Sequence, residues 1–245
     1  MNATPSIEST VATIATEIPG AAAVFERHGI DYCCGGKMPL WRACQKRGLD
    51  PGAVLAEVER RATGEPAGAP DWAAMGMAEL SDHIEGVHHA YLKAELPRLG
   101  QLAAKVAGVH GAGHPRLREL SEAFSGFSAD MFSHMAKEEQ VLFPALRAIE
   151  RGERPFGGAI EGPIACMTDE HDEAGIALAK FRSLTDGYAP PMHACNSWRV
   201  LLGDLARLEK DMHQHVHKEN NILFPKGLAA AGRSGGGGAC GCVGG

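Results

Sequence analysis

The sequence predicts an all-α protein, an antiparallel four-helix bundle preceded by a small helical domain. Three observations carry that prediction. Strand-like alternation of apolar and polar residues is absent. Helical candidates run over about 77–108, 115–151, 159–186 and 191–223, with Gly and Pro clusters in the gaps at 108–115, 152–158 and 187–191. Four long helices with short connections pack most simply as an antiparallel bundle. Residues 63–70, Thr-Gly-Glu-Pro-Ala-Gly-Ala-Pro, have linker composition and divide a first unit, 1–62, from the bundle, 71–228.

In the first unit, Val11, Ile14, Ile18, Val24 and Phe25 suggest short helices, with Pro19 in the first turn of one of them. His28-Gly29 closes that helix, and His28 acts as a cap. Ile30-Asp-Tyr-Cys-Cys-Gly-Gly36 makes a tight turn, and helices follow from about Pro39 and Pro51. At the other end, eight glycines from Gly232 onward mark residues 229–245 as a flexible tail, with Cys240 and Cys242 on it.

The bulk composition removes several function classes. The chain has 245 residues, 44% of them hydrophobic, enough for one substantial core and a smaller module. A net charge of −6 without a basic run gives no support to nucleic-acid binding. No apolar stretch approaches the roughly 18–20 residues that span a bilayer. The N-terminus lacks a basic region followed by an apolar one, so a signal peptide is not expected and a cytoplasmic location follows. Seven cysteines, an odd number with one vicinal pair, suit a reducing compartment.

Twelve histidines are the chemical clue, because two segments nearly repeat. His134-Met-Ala-Lys-Glu138-Glu-Gln-Val-Leu-Phe-Pro144 and His215-Val-His-Lys-Glu219-Asn-Asn-Ile-Leu-Phe-Pro225 each put an imidazole and a carboxylate four apart on one helix face. His171 on the third helix, and His89 or its neighbour His88 on the first, complete a set with one imidazole per helix. His89, His134, His171 and His215 are separated by 45, 37 and 44 residues, about one helix and one loop each. Four imidazoles and two carboxylates suit two metal ions better than one, with each carboxylate bridging the pair. Two ferric ions less two glutamates leave +4, which an oxide bridge lowers to +2. The mixed donor set excludes a Cys-rich structural zinc.

Glu85, Asp130 and Asp211 each lie four residues before a proposed ligand and Glu170 adjoins His171, so all four are candidates to orient imidazoles. The remaining histidines have plainer readings. His83 competes weakly on the first helix, His213 and His217 face away from His215 toward the surface, and His110, His114 and His193 fall in solvated loops. Cys44, Cys166 and Cys195 read as small apolar residues.

Taken together, the bundle resembles the hemerythrin-like domain, and Ile-Asp-Tyr-Cys-Cys-Gly-Gly resembles the leading module of the RIC proteins (repair of iron centres), over about residues 5–228. The resemblance implies His89, His134, Glu138, His171, His215 and Glu219 as ligands to two non-heme iron ions. It favours His89 over His88, since the family's ligand precedes a Leu-Pro pair, here Leu96-Pro97, by the same offset. Oxygen-carrying hemerythrins use a fifth His one turn after the third-helix ligand, and here that position is Gly175. The missing imidazole implies iron that is open to nitric oxide, oxygen or peroxide and less tightly held. The family reading is a protein that repairs iron–sulfur clusters damaged by nitrosative or oxidative stress, donating iron from a labile oxo-bridged pair to damaged iron–sulfur proteins. Cys33 and Cys34 are its candidate redox or iron-transfer thiols. Two alternatives stand beside it, an enzyme reducing nitric oxide to nitrous oxide and a sensor of a diatomic gas. The sequence leaves a homodimer open.

Overall fold

The computed structural model describes residues 5–62 and 70–234. The linker expected at 63–70 and the glycine tail with Cys240 and Cys242 therefore lie almost wholly outside the described residues. Four short helices build the first unit: α1 (Val11–Glu17), α2 (Ala21–His28), α3 (Leu40–Arg47) and α4 (Pro51–Ala62). Thr10 caps α1 by accepting the Thr13 amide at 3.1 Å. Pro19 precedes α2 instead of starting it, because Gly20 (φ 79°) makes the turn into the helix, and Gly29 (φ 63°) makes the turn out. Val11, Ile14, Val24, Phe25, Tyr32, Leu40, Val54 and Val58 form its core.

The bundle has four long helices. α5 joins Met77–His83, a π turn at Ile84–His89, and Ala90–His110. α6 joins Pro115–Lys137, a π turn at Glu138–Leu142, and Phe143–Glu150. α7 is Glu161–Leu184. α8 joins Asn196–Lys218, a π turn at Glu219–Leu223, and Phe224–Ser234. The final helix thus begins five residues later than expected and runs into what the composition suggested was tail. Residues 229–234 continue the amphipathic pattern, and Ala230 and Ala231 pack on the core.

Two of the three π turns, Glu138–Leu142 and Glu219–Leu223, have a local cause in the repeat. Pro144 and Pro225 cannot donate an amide, and their rings crowd the carbonyl four residues back, at Gln140 and Asn221. Both carbonyls lie inside the widened turns. Two apolar clusters fill the bundle. One gathers Leu92, Leu96, Phe124, Phe127, Phe181 and Leu205, and the other Leu80, Ile84, Phe143, Leu146, Ile164 and Phe224. The His/Glu layer separates them. Among the described residues, no helix is long and apolar enough to cross a membrane.

Candidate metal centre

All six expected ligands meet in that layer, each no more than 2% exposed. Every imidazole turns its Nε2 inward. His89 and His215 bring these nitrogens to 3.2 Å, and His134 and His171 to 3.1 Å. Glu138 Oε2 lies 3.3 Å from His89 Nε2 and 3.2 Å from His134 Nε2. Glu219 sets Oε1 at 3.0 Å from His215 and Oε2 at 3.1 Å from His171. His89, Glu138, His215 and Glu219 form one group whose donor atoms all lie within 4.8 Å of one another; His134, Glu138, His171 and Glu219 form a second. Both carboxylates belong to both groups, as two ions sharing carboxylates require.

The residues fit metal ions on a further count. Both Glu138 oxygens and Glu219 Oε2 are buried without a hydrogen-bond donor. The imidazole nitrogens 3.1–3.3 Å from Glu138 Oε2 and Glu219 Oε2 make no well-directed hydrogen bond to them. Two carboxylates buried together are costly, so a cation is the expected partner. Burial works to raise both carboxyl groups, but the imidazoles around them hold each below the ordinary carboxylate range. Burial likewise works to lower His134, and Glu138 with Glu219 overcome it, raising that imidazole to about 9. In His215, burial wins and the shift is downward. Imidazole nitrogen and carboxylate oxygen suit iron, zinc or manganese alike.

The outer faces of the imidazoles correct the offset expectation. His89 Nδ1 donates to Glu139 Oε1 at 2.8 Å, while Glu85, expected there, pairs with Arg147 at 2.7 Å. His134 Nδ1 donates to Glu170 Oε2 at 2.9 Å, so Glu170 orients His134 in place of Asp130. His171 Nδ1 meets Asn220 Oδ1 at 2.8 Å. Asp211 binds His88 Nδ1 at 2.9 Å, and His215 Nδ1 has no partner. The reason is geometric: a side chain one turn back lies beside the ligand's own Cβ, whereas Nδ1 of an inward-turned ring faces the neighbouring helix. Glu139 and Asn220 directly follow Glu138 and Glu219, a signal present in the repeat.

Residues 82–227 match the hemerythrin HHE cation binding domain, and residues 7–62 match the Domain of Unknown function (DUF542). The chain is 37% identical to the "Iron-sulfur cluster repair protein YtfE" of Enterobacter sp. (strain 638), over 86% of this chain and 93% of that protein. It is 38% identical to the protein of the same name from Yersinia pseudotuberculosis serotype IB (strain PB1/+), over 88% and 94%. It is 37% identical to that of Escherichia coli O157:H7, again over 88% and 94%. The chain belongs to the YtfE family.

In this YtfE-family chain the first unit docks on α8 through residues read as surface. His217, 6% exposed, donates from Nδ1 to the Tyr32 carbonyl at 3.2 Å, and its ring lies 5.3 Å from that of Tyr32. Asn221 Nδ2 donates to the Cys33 carbonyl at 3.2 Å. His213 is half-buried against Tyr32, at 6.1 Å. Asp31 shapes the Cys-Cys turn, accepting the amides of Cys33, Cys34 and Gly35 at 3.0, 3.1 and 2.9 Å. Cys34 Sγ reaches the His171 carbonyl at 3.5 Å and lies 3.5 Å from where a Cβ on Gly175 would stand. The space beside the absent fifth imidazole is thus lined by Cys34. A cavity of about 940 Å³ opens there, bordered by Cys33, Cys34, His171 and Gly175. Hydrogen bonding to Cys34, with burial, pushes the Cys33 thiol well up, so it rests protonated.

Other plain readings also change. His28 bonds Glu57 at 2.7 Å. Cys44 is buried as expected, but Cys166 and Cys195 are exposed.

Proposed function

We propose that this chain repairs iron–sulfur clusters damaged by nitrosative or oxidative stress, holding two non-heme irons, oxo-bridged, in the His/Glu layer and giving iron up to damaged proteins. One observation carries the reading: two buried carboxylates shared between two donor groups, most of their oxygens lacking any other partner, in a chain whose relatives are named for cluster repair. His89, His134, Glu138, His171, His215 and Glu219 would hold the ions, and Glu139, Glu170 and Asn220 would orient three of the rings. Iron supplies redox activity and affinity for nitric oxide and oxygen species.

Support for lability comes from the third helix, where Gly175 contributes no ligand and the cavity approaches His171. Cys33 and Cys34 border the same cavity and are the proposed receiving groups. Iron capture by Cys33 requires loss of its proton, and Asp31 Oδ1, 3.3 Å from Sγ, is placed to take it. A cytoplasmic setting would keep these thiols reduced.

The test mixes iron-loaded protein with a nitrosylated [4Fe–4S] protein and follows cluster absorbance, iron content and nitrous oxide. Cluster recovery with matching iron loss from this chain is expected. Catalytic nitrous oxide without iron loss would instead make it an enzyme, and recovery without iron loss would refute donation.

A further inference from the structure

The end of the bundle opposite the His/Glu layer carries a second concentration of metal-binding side chains. Twenty-one residues of α5 separate His89 from His110, about 30 Å at helical rise. There α5 ends on His110, the α5–α6 connection bears His114, and the α7–α8 connection bears His193 and Cys195. His114 Nε2 and His193 Nε2 stand 3.0 Å apart with their rings stacked at 4.9 Å. His110 Nε2 and Cys195 Sγ stand 3.2 Å apart. All three imidazoles pack on the buried indole of Trp198, with ring centres at 5.2, 4.9 and 5.7 Å for His110, His114 and His193.

We propose that His110, His114, His193 and Cys195 form a second metal site, for one divalent ion of the zinc class. The donor chemistry is the first argument. Three imidazoles and one thiolate match the composition of four-coordinate zinc sites, and tetrahedral ligands about 2.0–2.1 Å from zinc place two nitrogens about 3.3 Å apart. The His114–His193 pair already approaches that separation. Preorganisation is the second argument. Arg199 donates from Nε to the Ala194 carbonyl at 3.0 Å and from Nη2 to the Met192 carbonyl at 2.8 Å, fixing the segment that carries His193 and Cys195. The donors stand as two close pairs, with no three of the four donor atoms mutually within 4.8 Å. A single ion therefore requires rotation of the exposed His193 and Cys195 side chains to close the site. Binding ties two connections together and releases the Cys195 proton to solvent.

The site is separate from the iron-binding layer and its test does not depend on that reading. The full iron-loaded chain is titrated with zinc, with iron content measured throughout. One zinc per chain is expected without iron loss, weakened at least tenfold in Cys195→Ser and in His114→Ala/His193→Ala. Bound zinc should also slow iodoacetamide labelling of Cys195 at least tenfold. Cobalt(II) should give a thiolate charge-transfer band that Cys195→Ser abolishes. His193→Ala, altering one exposed side chain, guards against misfolding, and circular dichroism checks each variant. Zinc uptake that is unchanged by these substitutions, or that only displaces iron, overturns the proposal. So does unprotected Cys195, the outcome if His114 and His193 merely share a proton.

Discussion

The two repeats, His134 to Pro144 on α6 and His215 to Pro225 on α8, point the same groups inward and different groups outward. Inward, each gives one imidazole and one shared carboxylate, followed by a π turn. Each also serves the ligand of a neighbouring helix. Phe143 stacks on His89 at 5.6 Å and Phe224 on His171 at 5.9 Å. The residue after each glutamate accepts a hydrogen bond from that same ring's Nδ1, through a carboxylate at Glu139 and an amide oxygen at Asn220. Outward, the repeats part. Lys137 is half-exposed and pairs with Glu170, whereas Lys218 is buried, donates to His88 Nε2 at 2.9 Å and lies 4.7 Å over the Trp72 ring. Burial draws Lys218 down to about 8. Ala136 and Gln140 in the first repeat correspond to His217 and Asn221 in the second, which seat the N-terminal unit. The inner face is constrained by what it must bind, so the outer face is where one motif diverges into two uses.

The largest expected effect tests the inner equivalence. Glu138→Ala and Glu219→Ala should each lower metal affinity more than ~100-fold, beyond the ~10–100-fold cost of losing an outer partner. Elemental analysis of iron per folded chain measures it. If Glu138→Ala retains a full ion pair while Glu219→Ala loses it, the two carboxylates are not equivalent. A smaller difference separates the residues that follow them. Glu139→Ala should weaken metal binding about 10–100-fold. Asn220→Ala should cost less, since hydrogen bonds to a charged group contribute about 1.5–3 kcal/mol and neutral ones about 0.5–1.5 kcal/mol. Competition with a chelator ranks the two, and equal losses would erase the distinction between carboxylate and amide.

The inner face was legible in the sequence because helix periodicity alone brings His-x-x-x-Glu to one side, and four spaced imidazoles then return to one level. The outer partners were not. Glu85, Asp130 and Asp211 were reached by extending the same one-helix periodicity, but an imidazole's far nitrogen is satisfied across helices, which single-helix spacing does not encode. The fold was legible for a similar reason: four long amphipathic stretches leave few ways to bury their apolar faces. The role of His217 was hidden because its partner is a backbone carbonyl, at Tyr32, which no side-chain pattern announces.

The lysines give a third contrast. Lys218→Met keeps the aliphatic stem but removes the donor to His88, leaving a buried acceptor unpaired, and should cost about 1–3 kcal/mol. Lys137→Met breaks a half-exposed ion pair and should stay within about 0.5 kcal/mol. Urea unfolding of the iron-loaded variants measures both. Equal destabilisation would show that burial does not distinguish the two sites.

The smallest effect concerns docking. His217→Ala removes the hydrogen bond to the Tyr32 carbonyl, the ring contact with Tyr32 and polar contacts with Thr16 and Asn221. Asn221 still donates to that carbonyl, so the net cost should be about 1 kcal/mol. Asn221 still holds the Cys33 carbonyl, so the unit should loosen without detaching. A shift of that size raises the open population about fivefold to tenfold, and alkylation of Cys33, 5% exposed when docked, should accelerate by the same factor. Gln140→Ala, at the outward position of the first repeat that corresponds to Asn221, should leave Cys33 labelling unchanged. If both variants label alike, the thiol is reached by a route other than undocking, and the outward faces of the two repeats are less different than their contacts indicate.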